Sequence, residues 1–145
     1  MSDKPQSFEN HAKMVPGYHY VAFSILLVLL GSTVWQLVRE PSWDSTLGVL
    51  WAIALVLVGF YARIFALGVQ DRVIRLEEQL RMERLLPDDL KPRIGEFTTD
   101  QLIGLRFASD DELVDLCREV LAGSMTDRKS IKRAVKSWRA DHQRV

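Results

Sequence analysis

The sequence predicts an all-α membrane protein: a transmembrane helical hairpin with a long second helix extending into the cytosol, followed by a small helical C-terminal tail. Three observations carry that prediction. Val21 to Val38 is an uncharged run of 18 residues, and Ser45 to Gln70 is a second run broken only by Arg63. From Asp71 onward, fifteen basic and fifteen acidic residues alternate closely. A mean hydropathy of -0.01 conceals this segregation.

Both runs are long enough to span, since roughly 20 residues at ~1.5 Å each cross the ~30 Å hydrocarbon core. The predicted organisation has an N-terminal cytosolic or interfacial arm over 1–17, a first transmembrane helix over 18–38 and a short outer loop over 39–45. A second helix over 46–86 leaves the membrane and continues as a cytosolic rod; a linker over 87–97 and a helical cytosolic tail over 98–145 follow. The opening segment MSDKPQSFENHAKMVPG is not a compact basic region, and no A-x-A-like site follows the first run, so the run reads as a retained anchor.

Orientation follows from charge. The outer loop holds one basic residue, Arg39, against two before the first span and sixteen from Arg63 onward, which places both termini in the cytoplasm. Tyr18, Tyr20, Phe60 and Tyr61 near the inner ends, with Trp35, Trp43 and Trp51 near the outer loop, fit the two interfaces. Arg63 is the single charge inside a span. Its plain reading is a side chain that snorkels to the headgroups from about a turn inside; the sharper one is an ion-pathway or substrate role.

No proline interrupts Thr46 to Leu86, so the second helix can run as one rod until Leu86-Pro87 ends it. Along it Gly48, Ala52, Leu55, Gly59, Ala62, Ala66, Val69, Val73, Leu76 and Leu80 follow unbroken 4,3 spacing. Small residues suit helix association in lipid, and aliphatic residues suit it in water. The first span of the same chain can cover Gly48 through Ala66. Val73 to Leu80 needs another partner, either the folded-back tail or a second copy. Asp71/Arg75 and Glu77/Arg81, each four apart with the acid first, support the exposed helix.

In the tail, Thr98 or Thr99 caps a short helix carrying Leu102, Ile103, Leu105 and Phe107. Ser109 with Glu112 forms a capping box before a second helix with Leu113, Leu116, Cys117, Val120 and Leu121, which Gly123 ends. Thr126 caps a third, in which Ile131, Val135 and Trp138 share a face. Such a tail has little core of its own, and docking on the rod would support it. The lone Cys117 excludes an internal disulfide or a cysteine-based zinc cluster and reads as core packing. Arg128, Lys129, Lys132, Arg133, Lys136 and Arg139 form a basic face. It suits either a solvated, salt-bridged surface or anionic lipid headgroups, with nucleic acid the least favoured partner.

Catalytic chemistry finds no foothold. His11, His19 and His142 lack metal-ligand spacing, and no phosphate-cradling or nucleophile motif occurs, so neither a metal, a cofactor nor an enzymatic activity is expected. The segments QSFENHAKMVPGYHYV, LRMERLLPDDLKPRI, QLIGLRFASDDEL and IKRAVKSWRADHQRV together resemble a family of uncharacterised bacterial two-span membrane proteins of unknown function. The resemblance implies a bacterial inner (cell) membrane and brings no catalytic residues. Asn10, His11 and His19 are then polar groups where the chain enters lipid, around a bend at Pro16.

The function expected is a non-enzymatic membrane-anchored interaction or scaffold protein that self-associates through the second helix. Its partners would be the lipid bilayer, another copy, and an unidentified membrane or cytosolic protein. The alternative is a small accessory subunit or oligomeric pore of a transport system, with Arg63 contributing directly.

Overall fold

A computed structural model describes residues 7–9 and 14–141. A π-helical turn, Gly17–Ala22, leads into α1 (Phe23–Arg39), and α2 (Trp43–Leu85) follows as one unbroken helix of 43 residues. A 3-10 helix (Lys91–Glu96), α3 (Thr99–Leu105), α4 (Asp110–Leu121) and α5 (Arg128–Ala134) complete the chain. No β-strand forms among the described residues; Ala108 and Trp138 make an isolated antiparallel bridge. The all-α class, the long second helix and the helical tail are those the sequence predicts. The described residues divide into two packed units, 14–67 and 68–141 with 7–9.

In the first unit α1 runs antiparallel to the opening turns of α2. Small residues set the approach: a Cβ on Gly48 would lie 3.7 Å from Thr33, one on Gly59 would lie 3.4 Å from Leu26, and Ala52 is buried. The corner is shorter than the predicted loop, because α2 begins at Trp43 rather than Thr46. Glu40, restricted by Pro41, leaves the helical region at φ -137°. Ser42 and Ser45 then close a reciprocal cap, each hydroxyl accepting from the other's backbone N–H at 3.1 and 2.9 Å. Most apolar side chains of this unit, among them Val28, Val38, Trp51 and Val58, are exposed.

The second unit has a continuous core, completed by residues at the end of the rod. Met82 and Leu86 from the end of α2 meet Leu102 and Leu105 of α3, Leu113, Leu116, Cys117 and Val120 of α4, and Ile131 of α5. The segment 87–97 is not a spacer. Leu90, Ile94 and Phe97 are buried in the same core, which the 3-10 turn after Pro87 allows by turning the chain back on α2. Gly104 lets α3 touch α5, since a Cβ there would meet Ile131 at 2.9 Å.

Local signals fix the helix ends. Thr98 and Gln101 form a complete capping box, and Gly123 ends α4 with φ at +82°. The third tail helix differs from its prediction at both ends. Asp127 rather than Thr126 caps it, accepting from Lys129 and Ser130 N–H at 2.8 and 3.0 Å, bonds that hold its carboxyl below the usual range. At the other end α5 stops at Ala134, and Val135 turns extended at ψ 121°. The following backbone pairs with the 107–109 strip instead: Ser109 N–H donates to Ser137 O at 3.0 Å, and Arg139 N–H donates to Phe107 O at 2.7 Å. Trp138 therefore leaves the helical face shared with Ile131 and packs on Phe107, ring centroids 4.8 Å apart.

Met82 is fully buried, so Met82→Ala is expected to cost about 2–5 kcal/mol. Cys117, the single cysteine, supplies the readout: burial, with Glu78 adding to it, pushes its thiol up to about 12 although Arg81 pulls the other way. Maleimide labelling at neutral pH then requires opening of this core. The substitution should speed labelling by roughly 30-fold or more; an unchanged rate would place Met82 outside the cooperative core.

Candidate functional site

The last five turns of α2 carry two distinct faces. Ile74, Glu78, Arg81, Met82 and Leu86 recur at helical spacing and are buried against the C-terminal elements. Val69, Val73, Leu76 and Leu80 form the other face, with Leu76 and Leu80 61% and 65% exposed. The tail therefore docks on α2, but not on the predicted seam.

Two charges lie inside the docked face, and each is held by hydrogen bonds. Arg81 is only 4% exposed. Its Nε and Nη2 donate to Asp110 Oδ1 at 2.9 and 2.6 Å, Nη2 also donates to Ala108 O at 2.8 Å, and Nη1 reaches Glu78 Oε2 at 3.0 Å. The other oxygen of Glu78 accepts from Arg139 at 3.1 Å. The predicted Glu77/Arg81 pair is thus replaced by Glu78 and Asp110, because Glu77 faces outward. Desolvation makes a cluster like this roughly neutral for stability, yet removing either Arg81 or Glu78 leaves the other charged and buried, while Asp110 and Arg139 reach solvent.

Glu112 makes a second tie. Its carboxylate closes back on the Ser109 N–H at 3.4 Å, as the capping box predicts, and also accepts from Lys136 and Ser137 N–H at 3.1 Å each. Beside the Arg81 cluster lies a cleft of about 580 Å³ whose walls include Arg84, Arg106 and Arg139 together with Glu77, Glu78 and Asp141. Arg106 pairs with Asp141 at 3.4 Å. Charges of both signs thus line this cleft.

The predicted site residues scatter accordingly. Of the seam, Gly48, Ala52 and Gly59 pack against α1, Leu55 and Ala62 are exposed, Ala66 is half-buried, and Val69 to Leu80 are open. Spacing explains the division: a 3.5-residue repeat drifts by about 20° per heptad around a straight 3.6-residue helix, so its members leave a single face.

The proposed basic face is not one face. Lys132 is buried over the Phe107 ring at 4.9 Å, Arg128 pairs with Asp100, and Arg139 reaches Glu78. Arg133 lies over Phe8 at 5.3 Å, while Lys136 sits beyond the end of α5. Lys129 remains exposed on the helix. The cause is the early end of α5, which removes two of the six from the helix.

Of the polar group near the first helix, Asn10 and His11 lie outside the described residues, as does His142. His19 accepts from the Val15 N–H at 3.1 Å across the Pro16 bend, which is a local cap. Its neighbour Tyr18, not singled out as a site residue, donates its hydroxyl to the Gly59 carbonyl. Arg63 is half-buried on α2. Among the described residues no cluster of His, Cys, Asp or Glu has metal-binding geometry. The Arg81 cluster was missed because its partners are distant in sequence; its one local trace is Glu78, a charge midway between Ile74 and Met82 on an apolar stripe.

These features define a class: an all-α protein with two helices long and apolar enough to cross a membrane, Gly17–Arg39 and Trp43–Leu85, and a separately packed helical C-terminal unit. The chain belongs to the family of unknown function DUF6526, whose model matches residues 1–145. No curated protein and no solved structure matches it.

Arg81→Ala should lower the stability of the C-terminal unit by about 3–5 kcal/mol by leaving the buried Glu78 carboxylate to the half-exposed Arg139 alone. Pairing it with Glu78→Gln should cost less than the sum of the two single changes, with a coupling of about 0.5–3 kcal/mol. Urea denaturation followed through Cys117 labelling measures both, and strict additivity would show that the two side chains act independently.

Proposed function

We propose that this chain is a non-enzymatic membrane-anchored interaction or scaffold protein that self-associates through α2. On this reading α1 and the first half of α2 cross a bacterial inner membrane, and both termini are cytoplasmic. The exposed Val, Leu and Trp side chains of the hairpin support insertion, since a contiguous apolar surface of that extent favours lipid over water. The excess of Lys and Arg beyond the short outer loop supports the orientation.

The observation that carries self-association is the open stripe on the last turns of α2. The C-terminal unit uses the Ile74, Arg81 and Met82 face, so Val73, Leu76 and Leu80 remain exposed as an apolar stripe among the exposed charges Arg72, Arg75 and Glu77. Burying such side chains is worth ~1.5–3 kcal/mol each, a gain that a second molecule can supply.

The mass of the full-length chain in native-lipid nanodiscs tests the proposal. An oligomer is expected, Leu76→Glu with Leu80→Glu should shift it toward monomer, and Arg63→Gln should leave it unchanged. A strict monomer at micromolar concentration refutes self-association. An Arg63→Gln effect on mass or on ion flux would favour a transport role instead.

A further inference from the structure

The exposed stripe has a specific alternation. Taking Val73 and Leu80 as a positions of a heptad puts Val69 and Leu76 at d. The stripe stops after Leu80, because the next d position is Glu83 and the following a position is Pro87. Val73 at a with Leu76 at d is the combination that favours two parallel strands, whereas Val69 at d and Leu80 at a invert it, so the direction rests on the flanking charges.

The flanks carry the orientation. Arg72 falls at g and Glu77 at e of the next heptad, five residues on, and both side chains are exposed. In a parallel pair, g of one helix faces that following e of the other, so Arg72 meets Glu77 twice, once across each side of the seam. In an antiparallel pair like flanks meet, Arg72 against Arg72 and Glu77 against Glu77. Beside the stripe, a groove of about 440 Å³ runs between Leu76, Gln79 and Leu80 on α2 and Pro92, Ile94 and Gly95 of the 3-10 helix. No atom lies within 4 Å of where a Cβ on Gly95 would sit, which leaves room for an incoming helix.

We propose that Val69 to Leu80 forms a parallel two-stranded coiled coil with a second copy of this chain, with Arg72 of each copy paired to Glu77 of the other. The proposal rests on self-association through α2 and deepens it by fixing stoichiometry, direction and the residues that select the partner. Parallel direction is also the one available to two copies inserted in the same membrane with the same topology.

Full-length chains in lipid nanodiscs carrying Leu76→Cys or Arg75→Cys test the geometry under mild oxidation; Cys117 stays in place because it is buried. Leu76→Cys should give a covalent dimer, and Arg75→Cys, on the far side of the helix, at least tenfold less. Arg72→Glu and Glu77→Arg should each weaken the dimer by about tenfold, since two exposed pairs turn from attraction to repulsion. Combined in one chain, the two substitutions should restore it. A dimer by light scattering without the Leu76→Cys crosslink, or without rescue by the double swap, overturns the parallel seam while self-association stands. A monomer overturns both.

Discussion

The guanidinium of Arg81 governs how the C-terminal unit is built. A cation with 4% exposure is tolerated only when its donors are filled by anions and carbonyls, and here they are filled from three places: Glu78 one turn back, Asp110 at the start of α4, and the Ala108 carbonyl. Glu78 in turn holds Arg139. The cluster fixes which face of α2 receives the tail, because rotating the helix by a few tens of degrees would strand both charges. Its contribution lies in specificity of docking more than in net stability. Met82, Leu86 and the α3–α5 side chains supply the apolar gain around it.

A second constraint follows from the first. With Arg139 drawn to Glu78, the chain after Ala134 has to reach back along residues 107–109, and an extended strip makes that reach where a helix would not. Glu112 caps the exchange by accepting two backbone N–H groups from that strip, besides the one at its own helix start. Helical periodicity in Ile131, Val135 and Trp138 loses to these bonds. The basic residues follow the backbone: they become partners of Asp100, Glu78 and aromatic rings, and a uniform cationic face for headgroups does not assemble.

Small residues and aliphatic residues on α2 then serve separate ends. Gly48, Ala52 and Gly59 allow close approach of α1, and Tyr18 uses the bare backbone at Gly59 as an acceptor. Farther along, the aliphatic stripe is left outside both the hairpin and the tail core.

The sequence by itself determined what is local. Uninterrupted apolar runs, Pro41 and Pro87, the Thr98 capping box and Gly123 each act over a few residues, and they yield the all-α class, the 43-residue helix and the helical pieces of the tail. Tertiary structure alone decided which side of α2 the tail covers, where α5 ends, and which charges are buried. Those outcomes depend on pairings such as Arg81 with Asp110, 29 residues apart, and Glu78 with Arg139, 61 apart. Periodicity identifies the faces of a helix, but the partner that buries a face is chosen by the lowest free energy of the whole packed unit.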